Sequence, residues 1–160
     1  MCIRNSTYAA GLSLKEENLD AFTQRFLKLA ADEIIPEQMT PQIDIDAVLD
    51  LQDINAKFMS ELKKMNPFGP DNQKPVFCSL GVKDYGTSKL VGKDLEHIKL
   101  ELIDDKSNTP IHGIAFGMHQ HNTHIKNMKP FNICYTIEEN TYNGNTSLQL
   151  MVKDIKENDI

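Results

Sequence analysis

Three histidines within six residues, His119, His121 and His124, are the densest group of metal-binding side chains in the sequence. Imidazole nitrogens bind zinc and other transition metals when the ligands converge on one point. In a helix, His121 and His124 would share a face, whereas His119 would not lie beside His124. No cysteine is close by, and neither Asp nor Glu occurs between Asp105 and Glu138. We therefore interpret this segment as polar surface and predict no metal site in the chain. The alternative is a metal-dependent enzyme built on these histidines.

The remaining reactive side chains form no catalytic set in the sequence. Cys78 and Cys134 lie in strand-like runs, which is typical of small buried hydrophobic residues. The acidic pairs Asp104-Asp105 and Glu138-Glu139 lie at predicted strand ends, where we expect solvated turn acids. The sequence contains no Gly-x-Ser-x-Gly element and no phosphate-binding Walker loop. We therefore predict no catalytic residue.

Basic side chains that could contact phosphate groups cluster around one predicted strand. In this strand the apolar residues face the core, and the alternation sends His97 and Lys99 to the opposite side. Lys89 and Lys93 lie on the preceding hairpin and extend the cluster. We predict that these four residues contact nucleic acid. The alternative is that the lysines are an ordinary solvated strand face.

Two aromatic residues are candidates for stacking on nucleic-acid bases. Phe68 lies at the centre of a loop, and Tyr142 comes directly before a predicted tight turn. Base stacking on such rings stabilises a complex by roughly 1–3 kcal/mol per base. The alternative for both is packing in the protein, with Phe68 under its own loop.

The elements that must position these residues begin with helices. Ser13-Leu14-Lys15-Glu16 has the pattern of a capping box, and it predicts a helix over residues 13–35 that ends at Pro36. Residues 42–47 alternate in hydrophobicity and predict a strand. Apolar residues between Ile54 and Met65 recur at helical spacing and predict a second amphipathic helix.

The rest of the sequence is rich in predicted strands. They span Val76–Val82, Lys89–Gly92, His97–Ile103, Ile111–Met118, Phe131–Glu138 and Ser147–Ile155. Asn143-Gly144 predicts a hairpin turn, and the segment between Met118 and Phe131 is open between a loop and a short helix. The order predicts a mainly β fold with α-helices (α+β), an OB-fold-like antiparallel β-barrel preceded by amphipathic helices. Periodicity alone also allows a β-sandwich.

A proline-rich loop connects the helical part to the strands. It runs from Met65 through Pro67-Phe68-Gly69-Pro70 to Asn72, and Pro75-Val76-Phe77 follows. Proline fixes φ and disfavours helix in the residue before it, so this connection is stiff. The segment resembles the Pro-Phe-Gly-x-x-Asn-x-x-Pro-Val-Phe signature at the start of the OB domain in the RecJ family of single-stranded-DNA-specific exonucleases.

Further short motifs resemble the same family in the same order. They are Tyr8-Ala9-Ala10-Gly11-Leu12, Leu90-Val91-Gly92-Lys93-Asp94, His97-Ile98-Lys99-Leu100, Ile114-Ala115-Phe116-Gly117-Met118 and Tyr142-Asn143-Gly144 with the strand after it. Arg4-Asn5-Ser6 occupies the place of the family's Gly-Gly-His element, and nothing resembles the Asp-His-His motif of its catalytic domain. The resemblance thus implies a remnant of the DHHA1 domain at residues 1–40 and an OB-fold domain at 41–160.

The resemblance implies a non-catalytic part of a bacterial 5′-to-3′ single-strand exonuclease that acts in DNA repair and recombination. It implies no cofactor in this chain, although the intact enzyme would use Mn²⁺ or Mg²⁺. The implied partners are single-stranded DNA and the catalytic DHH domain. The alternative is a protein-interaction module that docks on the catalytic half or a repair partner and has negligible affinity for DNA.

Composition and charge limit these expectations. The formal net charge is −6, but residues 83–129 carry 7 basic and 6 acidic side chains. Local placement decides phosphate contact because salt screens distant charges. Three cysteines leave an odd thiol in any disulfide scheme, which favours a reducing compartment, and we expect a cytoplasmic protein. No apolar run is long enough to span a membrane.

Overall fold

The amino-terminal 42 residues and the rest of the chain form separate units, Met1–Gln42 and Ile43–Ile160. The computed structural model describes residues 4–6, 9–35, 41–107, 109–142 and 144–157. No helix among these residues is long and apolar enough to cross a membrane. The assignment of residues 1–40 to a DHHA1 remnant and of 41–160 to an OB-fold domain stays a prediction.

The first unit contains a short hairpin and one long helix. The antiparallel strands are β1 (Arg4–Ser6) and β2 (Ala9–Gly11), and helix α1 spans Leu19–Glu33. The predicted capping box is wrong, because the N-cap residue is Asn18 and its side chain makes no capping hydrogen bond. Residues 16–18 instead form a 3₁₀ turn, so the α-helical ladder starts only at Leu19.

The second unit begins with short elements that lead into the barrel. Strand β3 (Ala47–Val48) pairs in parallel with the next strand, and helix α2 spans Ala56–Lys63. The predicted strand over residues 42–47 is wrong, because only its last residue joins the sheet. Helix α2 begins after Ile54, because the Asn55 carboxamide oxygen accepts two backbone N–H groups of the first turn.

Five strands close into a barrel. They are β4 (Phe77–Asp84), β6 (His97–Ile103), β7 (Ile111–Ala115), β8 (Phe131–Tyr142) and β9 (Asn145–Glu157), and they pair in the cycle β4-β6-β7-β9-β8-β4. Strand β5 (Lys89–Val91) adds to the edge of β6, and helix α3 (Asn122–Lys126) connects β7 to β8. The open segment before β8 is therefore partly helical.

The predicted OB-fold-like antiparallel barrel is confirmed, with one parallel pair in the closed cycle. The β7–β9 pair is parallel, as is the β3–β4 pair outside the closed cycle. An odd number of strands cannot alternate in direction around a closed cycle, so at least one neighbouring pair must be parallel. In this barrel the parallel pair is β7–β9. Strand β9 is antiparallel to β8, and it therefore runs in the same chain direction as β7.

Strand β4 changes partners along its length. Its first residues pair with β8, and Lys83 and Asp84 pair with Ile103 and Leu102 of β6. The register shifts between Ser79 and Val82, where Gly81 has a φ of 66°. Glycine adopts this conformation without the strain of a Cβ, and such bulges bend a strand. The bend at Gly81 is what allows β4 to reach both neighbours.

The barrel interior is filled by alternate residues of the strands, and α3 covers one end. Ile98, Leu100 and Leu102 of β6 are fully buried, as is Ile125 of α3. The β8–β9 hairpin extends further than predicted, since Tyr142 still pairs with Asn145 across a two-residue turn. Gly144 in this turn has a φ of 80°, as the predicted hairpin requires, and Asn143 lies outside the described residues.

A buried carboxylate fixes the loop after β4. Asp84 is 1% exposed, and its Oδ1 accepts hydrogen bonds from the Ser88 backbone N–H (3.1 Å) and hydroxyl (2.5 Å). Lys126 Nζ of α3 lies 3.6 Å from Oδ2. The Ser88 hydroxyl oxygen in turn accepts from the Glu101 N–H at 3.0 Å. This network attaches the β4–β5 loop to β6 and to α3.

We expect Asp84→Ala to lower the free energy of unfolding by about 1–3 kcal/mol, because it leaves the buried Ser88 N–H without an acceptor. Urea denaturation measures the change. The matched control is Asp105→Ala, which removes an exposed ion pair with Lys83 (3.2 Å) and should change stability by less than about 0.5 kcal/mol. Equal effects of the two substitutions would contradict the role assigned to Asp84.

Candidate nucleic-acid interface

The outer surface of β6 presents the polar side chains that the sequence predicted. Ile98, Leu100 and Leu102 point into the barrel, and His97, Lys99 and Glu101 lie on the opposite side of the strand. Because directly paired residues share a face of the sheet, the neighbouring strands extend this surface. We call it the β5–β7 face; it comprises Lys89, Val91, His97, Lys99, Glu101, His112 and Ile114, with Tyr85 and Phe116 at its ends.

The β5–β7 face is arranged in three rows across the strands. In the central row Lys89 pairs with Lys99, and Lys99 pairs with Ile114. The row on one side contains His97 and Phe116. The row on the other side contains Glu101 and Tyr85, and the Tyr85 N–H donates to the Glu101 carbonyl at 2.8 Å. Two residues along a strand span about 6.6 Å, so each row lies about that far from the next. Lysines therefore lie between two aromatic side chains.

His97 holds one of these aromatic rings in place. Its imidazole lies 4.9 Å from the Phe116 ring centroid at an interplanar angle of 78°. Its Nδ1 accepts a hydrogen bond from the Gly117 N–H at 3.0 Å, and Nε2 lies 3.4 Å from Glu96 Oε1. Because Nδ1 accepts, the ring proton of the neutral imidazole is on Nε2. Phe116 is 54% exposed although its ring is supported by this contact.

The charges of the β5–β7 face are close to balanced. Within the described residues, Lys89 and Lys99 of this face and Lys93 beside it form no ion pair, whereas Lys83 and Lys126 are paired with Asp105 and Asp84. Glu101 accepts a short hydrogen bond from the Thr87 hydroxyl and lies 3.6 Å from His112. Lys89 and Lys99 are thus available to an anionic ligand on this face, and the carboxylates of Glu96 and Glu101 limit the positive potential.

The other predicted contact residues lie apart from the central rows. Lys93 is exposed in the turn between β5 and β6, where Gly92 has a φ of 96°. Phe68 is half-buried in the proline-rich loop, which Asn72 ties by hydrogen bonds to the Met65 and Pro67 carbonyls. Among the described residues, no ring contact joins Phe68 to the aromatic side chains of the β5–β7 face.

Tyr142 ends β8 at the tip of the hairpin. Its side chain lies outside the described residues. Its role, like those of Lys89, Lys93, His97, Lys99 and Phe68, stays a prediction.

Sequence reasoning missed two exposed aromatic residues of the face. Tyr85 is 50% exposed and Phe116 is 54% exposed. The alternation of side chains along its strand could have placed Phe116 on the outer side. Ala115 points into the barrel, so its neighbours Ile114 and Phe116 point outwards. Tyr85 lies beyond the predicted strand, which ended at Val82, and the inward-facing residue before it is the charged Asp84, so the hydrophobic pattern gave no such signal.

The predicted acidic turn residues have structural partners. Asp104 Oδ2 accepts the Leu51 N–H at 2.7 Å and Oδ1 accepts the Lys106 N–H at 2.9 Å. Glu138 and Glu139 lie within β8 and form ion pairs of 2.7 Å with Lys74 and Lys63. Asp105 is exposed in its turn as expected, and Asp104 is half-buried. Glu138 and Glu139 lie within a strand and not in a turn, although Glu139 is exposed.

The histidine segment attaches the end of β9 to α3. His121 Nδ1 lies 2.8 Å from Glu157 Oε1, and His124 Nδ1 lies 3.1 Å from Glu157 Oε2. The other nitrogen of His124 donates to the Pro130 carbonyl at 3.2 Å. Both nitrogens of His124 are thus engaged with protein oxygens. The described residues contain no group of three or more His, Cys, Asp or Glu side chains that could hold a metal ion.

We expect one equivalent of Zn²⁺ to leave the melting temperature unchanged within error. The reason is that His121 and His124 already interact with Glu157, and His124 also donates to the Pro130 carbonyl. A ligand that binds only the native state must stabilise it in proportion to RT ln(1 + [L]/Kd), so differential scanning fluorimetry detects tight binding. A zinc-dependent rise in melting temperature that His121→Ala abolishes would contradict this. His119→Ala, at an exposed position, is the control.

The strand order and the position of α3 define the class of the second unit. A closed five-stranded barrel with this topology is an OB fold, in which the second and third barrel strands and adjoining loops bind oligonucleotides or oligosaccharides. In this chain those strands are β6 and β7, which carry the β5–β7 face. The chain belongs to the family described as the RecJ OB domain, whose model matches residues 45–154.

Similar curated proteins are bacterial single-stranded-DNA-specific exonucleases named RecJ. The Haemophilus influenzae protein is 27% identical over 92% of this chain and 25% of its own length, and the Bacillus subtilis protein is 26% identical over 91% and 18%. The chain therefore spans about a quarter or less of these relatives. The crystal structure of RecJ with Mn²⁺ from Thermus thermophilus matches 94% of the chain with a TM-score of 0.71 at 18% identity, covering 21% of that structure.

Proposed function

We propose that this chain is the non-catalytic, DNA-binding portion of a RecJ-like 5′-to-3′ single-strand exonuclease that acts in DNA repair and recombination. The single strand would lie across the β5–β7 face and be guided towards a catalytic domain elsewhere in the parent protein. The observation that carries the proposal is the row of Lys89 and Lys99 between the exposed rings of Tyr85 and Phe116. A bacterial cytoplasmic location is part of the same proposal.

The arrangement of the face suits a single strand better than a duplex. A single strand exposes both its phosphates and the flat surfaces of its bases, and non-specific binding proteins combine basic grooves with aromatic platforms. Lys89 and Lys99 supply charge for phosphates, and Phe116 offers a ring whose orientation is supported by His97. Both groups lie on one side of a rigid sheet, so a strand could contact them together.

The nearly balanced charge of the face determines how tightly it would bind. Few released counterions give a shallow dependence on salt, at roughly −0.7 in log K per log salt for each phosphate that is neutralised on a single strand. Stacking would then supply much of the affinity, and the isolated chain should bind weakly. A guiding segment needs only modest affinity, because tethering to the catalytic domain raises its effective concentration.

Fluorescence anisotropy with an unstructured oligonucleotide at several salt concentrations tests the proposal. We expect Lys89→Gln and Lys99→Gln each to reduce the salt slope by about 0.7, because each removes one phosphate contact. Phe116→Ala should weaken binding by about 1–3 kcal/mol at every salt concentration, because stacking releases no counterions. Tyr142→Ala applies the same test to the hairpin tip.

Lys57→Gln is the matched control for the lysine variants. Lys57 is exposed on α2, outside the β5–β7 face, and its loss should leave the slope unchanged. Circular dichroism of each variant confirms that it is folded. If the parent chain shows no binding even at low salt, the protein-interaction module is the better account. If all variants bind as the parent does, the strand uses another surface.

The isolated chain should not degrade single-stranded DNA in the presence of Mn²⁺ or Mg²⁺. Metal-dependent hydrolysis needs carboxylate and histidine ligands that hold the ions and activate water, and the described residues offer no such cluster. A gel assay with end-labelled oligonucleotide measures degradation. Processive digestion that persists through purification to constant specific activity would refute the non-catalytic assignment. The metals would act in the catalytic domain of the intact enzyme.

Helix α1 favours a docking role for the first unit. None of its residues is buried, and Leu19, Phe22, Phe26 and Leu29 form an apolar stripe along it. Exposed stripes of this kind mark surfaces that another protein segment covers. The occupant we propose is the catalytic part of the parent nuclease, since the curated relatives are about four times as long as the matched region.

A further inference from the structure

Cys78 and Cys134 lie opposite each other on neighbouring strands of the barrel. Strands β4 and β8 are antiparallel, and Cys78 is the register partner of Cys134. Both residues are free thiols. Directly paired residues on neighbouring strands place their side chains on the same face of the sheet, so the two thiols are cross-strand neighbours.

Backbone hydrogen bonds identify the kind of cross-strand pair. The Cys78 carbonyl accepts from the Leu49 N–H at 2.8 Å, on the side of β3. The N–H and C=O groups of one residue in a strand point to the same edge, so those of Cys78 point away from β8. Cys78 and Cys134 are therefore a non-hydrogen-bonded pair, in which Cα atoms are about 4.5 Å apart and side chains are closest. Disulfides need Cα separations of about 4.4 to 6.8 Å, so the pair fits at the short end of this range.

We propose that Cys78 and Cys134 are a redox modification site that closes reversibly to a cross-strand disulfide on reaction with a small disulfide oxidant. The Cys134 thiolate attacks one sulfur of the oxidant, which forms a mixed disulfide and releases the first thiol. The Cys78 thiolate then attacks the Cys134 sulfur and releases the second thiol. The protein loses two electrons and two protons, and the oxidant disulfide is reduced to two thiols.

Exposure fixes the order of the two steps. Cys78 is 5% exposed, whereas Cys134 is only partly buried, so the oxidant meets Cys134 first. The resulting disulfide includes the partly exposed residue Cys134, and exposed disulfides are more easily reduced than buried ones. A thiol reductant should therefore reopen the bond in the folded protein.

Reaction should be slow at neutral pH and faster in base. Burial raises the pKa of the Cys134 thiol to about 11, and the neighbouring Cys78 thiol and Asp154 contribute to the rise. The thiolate is the attacking species, so its population grows as the pH rises towards that value. The site thus responds to sustained oxidation and not to brief exposure.

The test uses the full chain with Cys2→Ser, which removes the third cysteine. Incubation with oxidised glutathione at about pH 9 should give a product that has lost the mass of two hydrogen atoms and carries no glutathione. Peptide mapping should join Cys78 to Cys134, and dithiothreitol should restore the starting mass. A product that remains a glutathione adduct, or that shows no modification after prolonged incubation, would overturn the proposal.

Two variants separate the roles of the thiols. Cys78→Ser should stop at a glutathione adduct on Cys134, because the second attack is impossible. Cys134→Ser should react more than tenfold more slowly, because its remaining thiol is buried. The same reaction in urea should give a smaller fraction of internal disulfide if the native register holds the thiols together. An equal or larger fraction in urea would overturn the proposal.

Discussion

The closure of five strands into one barrel is the constraint on which the rest of the second unit depends. The final seam joins only two residues of β4, Lys83 and Asp84, to β6. So short a ladder gives few backbone hydrogen bonds, and the bend at Gly81 must first bring β4 into position. Hydrogen bonds from side chains on both sides of the bend add to the few backbone hydrogen bonds of this seam. Asn132 accepts the Gly81 N–H at 2.9 Å, and buried Asp84 holds the loop that follows.

Closure also determines what the outside of the barrel can present. With the alternate residues of β6 fully buried, the intervening side chains of this strand must face outwards, and the paired strands align theirs in rows. The β5–β7 face is therefore a consequence of the packed interior. Residues such as Lys99 and Phe116 can differ in chemistry without disturbing the core, and the barrel holds them at fixed spacing. This separation explains how one scaffold can carry binding residues that its own stability does not require.

The sequence predicted the class of fold and most strands because their two-residue periodicity is strong from Val76 onwards. It placed His97 and Lys99 on the outer side of β6, where the structure has them. It failed where long-range pairing overrides a local pattern. Residues 42–46 alternate like a strand but form no strand ladder before Ala47 meets Phe77, and Ser13 resembles a cap although the helix starts at Leu19. Tyr85 was missed because the inward-facing residue before it, Asp84, is charged and hides the end of the strand.

The two halves of β4 have different chemistry because they face different neighbours. Cys78 lies in the half that pairs with β8, whereas Asp84 lies in the half that joins β6 and supports the loop to Lys89. The bend at Gly81 separates these halves, and the β4–β8 pair is already fixed by its ladder and by the buried contact of Tyr135 with Ser79 (2.7 Å). A disulfide there would link strands that do not move apart in the folded state. Oxidation should therefore change the β4–β8 seam and leave the geometry of the β5–β7 face as it is.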